Sequence, residues 1–421
     1  MSIKAGIIGG GAAGLYTACQ LKRLASGKDI SVTLIEKNNI PGKKLILTGH
    51  GRCNITNLKD ASILKKGFHE AENFIYPALR EFGPTDTMNF VENELGLKLK
   101  EEENNRIFPV CDSAVRVRDA ILSYIADSTT IIKDTKVLEI RKGEDFEVIT
   151  DNGTYHFDFV VLSCGGSSFT KTGSTGDSYK LAQKLGHTVN PVKGALAPVK
   201  ADAGSATLCK SLAGVSVHAR VSVFSEDKKT SVYEGEVLFA DFGLTGPAVM
   251  EISREIPLDV KGTRAYLELD LVPSMNEEAF DQELLKLIGE HADTKITTLL
   301  SRYVPASVAG EIASRCGVTD VYAQGFTKEN RKKVCREMKH LKIGLSAAPS
   351  IEAAYVTRGG VSLKEVDRKT MESKVVPGLY IIGEALDIDG ISGGYNLQAC
   401  MSEAYLVAKS LESNCQFDSR K

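Results

Sequence analysis

The sequence predicts an α/β fold: a discontinuous nucleotide-binding domain with an inserted β-rich domain and a small helical domain. Three observations predict it. A G-x-G-x-x-G run, Gly9–Gly14, stands between a short apolar run and an amphipathic one. A second glycine-rich turn, Gly390–Asn396, precedes the last helical pattern. Between the two, short β-like runs give way to runs with helical periodicity.

The first element is Lys4–Ile8, a short buried strand. Ala12–Arg23 comes next as a helix, with Leu15, Ala18, Cys19 and Leu21 mostly on one side. Gly9 allows a tight turn, Gly11 lets backbone approach a pyrophosphate, and Gly14 lets helix and strand pack closely. Ala12 and Ala13 open the helix, whose free N–H groups and positive dipole end suit that pyrophosphate. A second β-rich run, Ser31–Ile35, ends at Glu36, roughly 20 residues on, where the ribose-binding acid belongs. A carboxylate there accepts hydrogen bonds from both ribose hydroxyls. It repels a 2′-phosphate, which disfavours NADP at this site. A ligand-free glycine turn is the competing reading of the motif alone.

The segment after Glu36 separates NAD from FAD. A simple NAD domain continues with regular βα units. Here Pro41–Asn57 (PGKKLILTGHGRCNITN) is long and loop-like. The far end of the chain supplies Val376–Gly383, a turn and an apolar strand, with Glu384 at its end. Gly390–Asn396 and the helix Leu397–Leu411 come next. Such a helix N-terminus can face the pyrimidine edge of an isoalloxazine and stabilise its reduced, negative form. One helix end for the pyrophosphate and another for the ring is an FAD arrangement. By itself, Gly390–Asn396 also reads as an ordinary αβ connection.

Val199–Leu271 is rich in β-like runs (VSVHARVSVF, VYEGEVLF, RAYLELDL). Asn276–Lys342 is helical in pattern, and the nucleotide fold resumes near Pro349. The expected division is 1–190 with 349–421 for the nucleotide domain, 191–275 for the β-rich insertion and 276–348 for its helical part. Ligands favour clefts between domains, so the insertion is expected to act as a substrate lid.

Bulk properties narrow the classes. The chain has 421 residues, too long for one ordinary core. It is 43% hydrophobic and 25% charged, a globular composition, and its net charge of −2 exerts no global pull on nucleic acid or anionic membrane. No apolar run has membrane-spanning length, and Gly9 comes too early for a signal peptide. The nine cysteines are scattered without CxxC pairs, which argues for reduced thiols, no metal site and a cytoplasmic protein. No second G-x-G-x-x-G follows a strand; Gly165-Gly166 and Gly359-Gly360 do not fit that spacing. NAD(P)H is therefore expected only as a transient electron donor without a domain of its own. The basic run Lys328–Lys342 can contact a phosphate backbone or form a solvated face. The partners in view are a small-molecule substrate or an RNA, with no membrane. Oligomeric state is not legible.

Several segments together resemble the HI0933-like or BaiN-like bacterial FAD-dependent oxidoreductases. They are GGGAAG (Gly9–Gly14), GKKLILTGHGRCNITN (Gly42–Asn57), RIFPV (Arg106–Val110), LSCGGSSFTKTGSTGDSY (Leu162–Tyr179) and FADFGLTGPAV (Phe239–Val249). Near the C-terminus come VTRGGVSLKEVDRKTMESKVVPGLYIIGEALD (Val356–Asp387) and GISGGYNLQAC (Gly390–Cys400). One departure is His50, where the family usually has glycine. It is a substrate contact or a tolerated loop side chain.

The resemblance implies a Rossmann-like FAD-binding domain and non-covalent FAD. The expected cofactor residues are Gly9, Gly11, Ala12, Ala13, Gly14, Glu36, Lys37, Lys44, Gly51, Arg52, Asn54, Val137, Gly165, Gly383, Glu384, Gly393, Gly394, Tyr395 and Asn396. Gly173–Asp177 (GSTGD) is a further phosphate- or flavin-like loop. The expected catalytic residues are Arg52, Cys53 and Tyr395: the resemblance puts the loop of Arg52, Cys53 and Asn54 near the flavin, and Tyr395 stands at the start of the second helix. Arg52 would stabilise reduced flavin or clamp substrate. Cys53 beside it would have a lowered pKa and act as proton donor or redox thiol. Tyr395 would protonate a substrate carbon or stack near the ring. Each also has a plain packing or loop-holding reading.

The expected activity is NAD(P)H-driven reduction of an activated C=C bond. Within the resembling family the acceptor is a 3-oxo-Δ4 or Δ6 bile-acid or steroid enone, or uridine in ribosomal RNA. Two alternatives stand beside it: an FAD-dependent oxidase of a small amine such as an aminoketone, and a non-enzymatic FAD-binding redox sensor.

Overall fold

The computed structural model describes residues 2–25 and 27–418, with side chains up to residue 414, so the Cys415 thiol lies outside the described residues. The chain forms two compact units, Met1–Val192 with Val356–Lys421, and Lys193–Tyr355.

The first unit is built on a five-stranded parallel sheet. Its spatial order is Leu379–Ile381, Phe159–Leu162, Ile3–Ile8, Ile30–Ile35, Thr129–Ile132. Apart from the edge strand Thr129–Ile132, these short strands end in buried, mostly apolar runs, as a sheet covered on both faces requires. The helix Ala12–Leu24 packs against the sheet and against the C-terminal helix Tyr395–Asp418. Ile7, Leu15, Leu34, Val161, Ile381 and Val407 meet in one fully enclosed core. Residues from both ends of the sequence thus complete a single domain. Ile8 aligns with Leu162 on one side and Ile35 on the other. The chain leaves Ile3–Ile8 in one direction and later resumes on its other side. That reversal makes a crevice at the carboxyl ends of the strands, where open α/β sheets bind ligands.

The first 190 residues are more than an alternation of strands and helices. An antiparallel meander forms from Val137–Lys142, Phe146–Thr150 and Gly153–Phe157. A small sheet forms from Thr56–Asn57, Arg106–Pro109 and Leu99–Glu102. Two helices, Glu72–Glu81 and Pro84–Asn93, lie between its strands in sequence. The loop-like stretch Pro41–Asn57 contains tight turns over Leu45–Gly51 before its short strand.

The second unit carries a six-stranded antiparallel sheet. Its order is Val199–Lys200, Gly243–Thr245, Lys228–Ala240, Ser216–Ser225, Tyr266–Asp270, Leu341–Gly344. Alternation along Ser216–Ser225 turns Val217, Ala219, Val221 and Val223 inward. Three longer helices, Glu277–Glu290, Ala306–Cys316 and Lys328–Lys339, pack on the same core through Phe280, Ile312 and Met338. The β-rich and helical stretches therefore share one apolar interior. Side chains of Asn276 and Thr327 cap two of these helices by accepting from Ala279 and Asn330 N–H. Among the described residues, no helix is long and apolar enough to cross a membrane.

Candidate cofactor site

The glycines of the first turn do different jobs. Gly9 has φ +106°, and a Cβ on it would lie 2.7 Å from the Cys164 Cα. A Cβ on Gly14 would lie 2.0 Å from the Gly9 carbonyl oxygen. The fold itself requires both. Gly11 is different: its φ is an ordinary −76°, and among the described residues no atom beyond its own chain neighbours lies within 4 Å of where its Cβ would be. The space before it is open, so the fold does not need glycine there but an approaching ligand would. Gly11 caps the helix without a side-chain hydrogen bond. The N–H groups of Ala12, Ala13 and Gly14 have no acceptor within the helix. Open space beside orphan donors and a positive helix end is an anion cradle.

Glu36 stands at the end of its strand, buried against this turn. Its Oε2 accepts Gly10 N–H at 2.7 Å, and Oε1 accepts Asn38 N–H at 2.8 Å. The carboxylate is held where the ribose-binding acid was expected. Lys37 pairs with Asp177 and donates to Thr175 Oγ1 at 2.7 Å, which ties it to the GSTGD loop. Gly165 has φ +75°, and Val137 opens the meander with little exposure.

The second turn belongs to the same unit. Gly383, at φ +65°, starts the turn Gly383–Ala385. Glu384 Oε2 pairs with Lys44 Nζ at 2.6 Å, and Lys44 also donates to Ser168 Oγ at 2.7 Å. Tyr179 Oη donates to the Glu384 carbonyl at 3.1 Å. Farther on, Gly393 and Gly394 have φ +103° and +98°. A Cβ on Gly394 would lie 2.5 Å from the Thr56 carbonyl. Asn54, oriented to satisfy its amide, donates to the Ile107 and Thr56 carbonyls and accepts Gly394 N–H at 3.1 Å. Asn57 Nδ2 donates to the Gly393 carbonyl at 3.1 Å, and Thr56 Oγ1 bonds Gln398 Oε1 at 2.6 Å. GRCNITN and GISGGYN, far apart in sequence, are therefore one folded element. Thr56, Asn57 and Gln398 were not singled out from the sequence; the motif GRCNITN was the signal that contained two of them. Asn396 spends both ends of its amide on Gly390, at 2.8 Å each, and so closes the turn itself.

The expected catalytic residues fare differently. The Arg52 guanidinium pairs with Glu102 at 2.8 Å and lies 4.1 Å from the centre of the Phe108 ring. The pair ties its loop to the strand Leu99–Glu102. Cys53 is fully buried at φ +65°, and burial pushes its thiol up to about 12. The expected lowering by Arg52 does not occur. The arginine's charge goes to Glu102 and Asp112, and desolvation dominates the thiol. Tyr395 is 3% exposed. Its ring packs on Phe68 and so closely on Gly67 that a Cβ there would lie 2.3 Å from it. Its Oη accepts from Lys59 Nζ at 3.2 Å. Gly49, His50 and Gly51 are three consecutive left-handed residues, with φ +56°, +56° and +84°. Exposed His50 thus occupies a conformation that suits glycine.

In the second unit, the basic helix divides its charges. Arg331 is buried against Asp281 in a two-pronged contact at 2.8 and 3.0 Å. Lys339 is buried on Asp270 at 2.7 Å. Lys328, Lys332, Lys333 and Arg336 are exposed on the helix, whereas Lys342, expected in the same helical run, is exposed on the strand Leu341–Gly344 because the helix ends at Lys339.

The first unit fits FAD: an open cradle at Gly11, an acid fixed beside it, and a second glycine turn locked to the GRCNITN loop. Comparison with known proteins agrees. The chain is 30% identical to the 3-dehydro-bile acid delta(4,6)-reductase of Clostridium scindens, covering 96% of this chain and 98% of that protein. It is 29% identical to the ribosomal RNA dihydrouridine synthase of Escherichia coli, covering 96% and 97%. Among solved structures, 3-ketosteroid delta1-dehydrogenase of Sterolibacterium denitrificans shares the fold at TM-score 0.51 and 13% identity, covering 97% of this chain and 99% of that one. The model of the HI0933-like protein Rossmann domain matches residues 3–410. The chain belongs to the HI0933-like family.

Proposed function

We propose that this oxidoreductase holds FAD non-covalently on its first unit and reduces an activated C=C bond, with NAD(P)H as transient hydride donor. The observation that supports it most is the joining of GRCNITN to GISGGYN through Asn54 and Gly394. It places a second glycine turn in the unit that already holds the Gly9–Gly14 cradle. Bound FAD supplies the hydride chemistry. Gly11 and the N–H groups of Ala12 and Ala13 take the pyrophosphate, and Glu36 the ribose. Lys44, Gly51, Val137, Gly165, Gly383, Glu384, Gly393 and Gly394 complete the cofactor surface. Tyr395 holds the proton for the substrate carbon, with Lys59 on its Oη. Arg52 keeps the loop in place. Cys53, as a buried neutral thiol, takes no part in the chemistry.

The substrate in this reading is a 3-oxo enone of bile-acid or steroid type, or uridine in ribosomal RNA. The relatives' names support both. The exposed cations Lys328, Lys332, Lys333, Arg336 and Lys342 support the RNA version, since each can neutralise a phosphate.

The test is anaerobic mixing of the FAD-loaded protein with NADH, then NADPH, monitored by visible absorbance. Rapid bleaching, reversed by a 3-oxo-Δ4 steroid or by a ribosomal RNA fragment, is the expected result and names the class. No bleaching with either nucleotide, and fast reoxidation in air after chemical reduction, overturns the reductase in favour of an oxidase.

A further inference from the structure

The C-terminal helix buries an acid for which the proposed chemistry has no use. Glu403 lies on Tyr395–Asp418, about two turns past the glycines, and is 0% exposed. Its Oε2 accepts Gly383 N–H at 2.6 Å. Among the described residues, its Oε1 is buried without a hydrogen-bond partner. Buried carboxyl oxygens are rarely left so, and an exception calls for a reason.

The surroundings supply one. A Cβ on Gly383 would lie 3.0 Å from the Ala13 Cβ and 3.7 Å from Cys400 Sγ. The Gly383 turn is thus wedged between the start of the first helix and the C-terminal helix. Glu403 stands directly behind it. The next residue, Glu384, carries the pair with Lys44 and receives Tyr179 Oη. Cys400, on Glu403's own helix, is its titratable neighbour among the described residues; Tyr16 on the first helix neighbours Cys400 and is in turn near Cys19 and Cys53. Burial raises all four, so they stay neutral near pH 8. Glu384 and Lys44 compensate each other. Burial also raises Glu403, to about 8. It is the member of this group whose charge changes near neutral pH.

We propose that Glu403 is a positioning residue whose carboxyl group holds the Gly383 turn and sets the charge behind a flavin bound in front of it. This rests on the reading of Gly383 and Glu384 as cofactor residues. Protonated, Glu403 is a neutral acceptor for Gly383 N–H. Ionised, it places an uncompensated negative charge in an apolar interior behind an anionic cofactor. It then opposes binding, and opposes the reduced, more negative form most. The fold thereby couples cofactor retention and reduction to a single proton.

The experiment titrates FAD into the apo-protein by flavin fluorescence from pH 6 to pH 9, and measures the midpoint potential of bound FAD across the same range. Wild type is compared with Glu403→Gln, a neutral near-isostere. Glu403→Met, of similar volume, serves if the glutamine variant does not fold. The expected result is a wild-type Kd that rises at least fivefold between pH 6.5 and pH 9, while the neutral variant stays within about twofold. The wild-type potential should also fall more steeply with pH than the variant's. FAD binding with parallel pH profiles in both proteins overturns the role of Glu403 alone. Absence of FAD binding by wild type at every pH overturns the cofactor reading and this proposal with it.

Discussion

Replacing Glu403 by glutamine should change how stability depends on pH, and the size of the change is set by the fold. The Glu403 carboxyl is raised from its ordinary 4.5 to about 8, chiefly by burial, against a smaller opposing effect of the Gly383 N–H bond. The folded protein therefore keeps a proton that the unfolded chain releases above about pH 4.5. Stability contributed by the neutral form is fully present below that pH. It is lost as pH rises through the window up to about 8, and the loss then levels off. Inside the window each pH unit costs about 1.4 kcal/mol. Between pH 5 and pH 7 the loss sums to about 2.5 kcal/mol. Glutamine has no proton to lose, so its different hydrogen bonding adds only a constant offset. The assay is urea unfolding of the apo-protein at pH 5, 6, 7 and 8, monitored by far-ultraviolet circular dichroism through the transition of the first unit. The stability of Glu403→Gln minus that of wild type should grow by about 2.5 kcal/mol from pH 5 to pH 7. A difference that stays constant within 0.5 kcal/mol would refute the reasoning, because Glu403 would then be ionised in the folded state or exposed to water.

Five further outcomes are expected. Gly11→Ala should unfold within about 1 kcal/mol of wild type, since its Cβ meets no protein atom, yet lose at least tenfold in FAD affinity. Gly14→Ala should instead lose more than about 2 kcal/mol, because its Cβ must displace the Gly9 carbonyl; denaturation and FAD titration on both proteins separate the roles. Asn54→Ala removes three hydrogen bonds and should cost about 3 kcal/mol in urea unfolding. Cys53, with its thiol near 12, carries only about one thiolate in ten thousand at pH 8. Peptide mass spectrometry after iodoacetamide treatment should find it unlabelled in the folded protein. Tyr395→Phe should lower turnover by about a hundredfold while leaving FAD affinity within about threefold, the pattern of a lost proton donor; unchanged turnover would return Tyr395 to packing on Gly67 and Phe68.

Much of the cradle was legible because its signals are local. Gly9 and Gly14 are demanded by neighbours a few residues away or on an adjacent strand. Glu36 comes directly after its strand, and the alternation in Ser216–Ser225 shows which face is buried. The expected lowering of the Cys53 thiol by Arg52 fails for a different reason. Adjacency suggested that the arginine would activate the thiol. The arginine turns instead to Glu102 and Asp112, on segments remote in sequence, while the thiol is enclosed in the core.

The family, the parallel nucleotide-binding architecture and the two glycine turns could be read from local pattern, since backbone conformation and side-chain periodicity are written within short windows. The lock of Asn54 on Gly394, the enclosure of Cys53 and the place of Glu403 behind Gly383 came from the assembled fold. Those are matters of burial and of which remote groups become neighbours. Burial depends on every segment that packs around a residue, so no local pattern reports it.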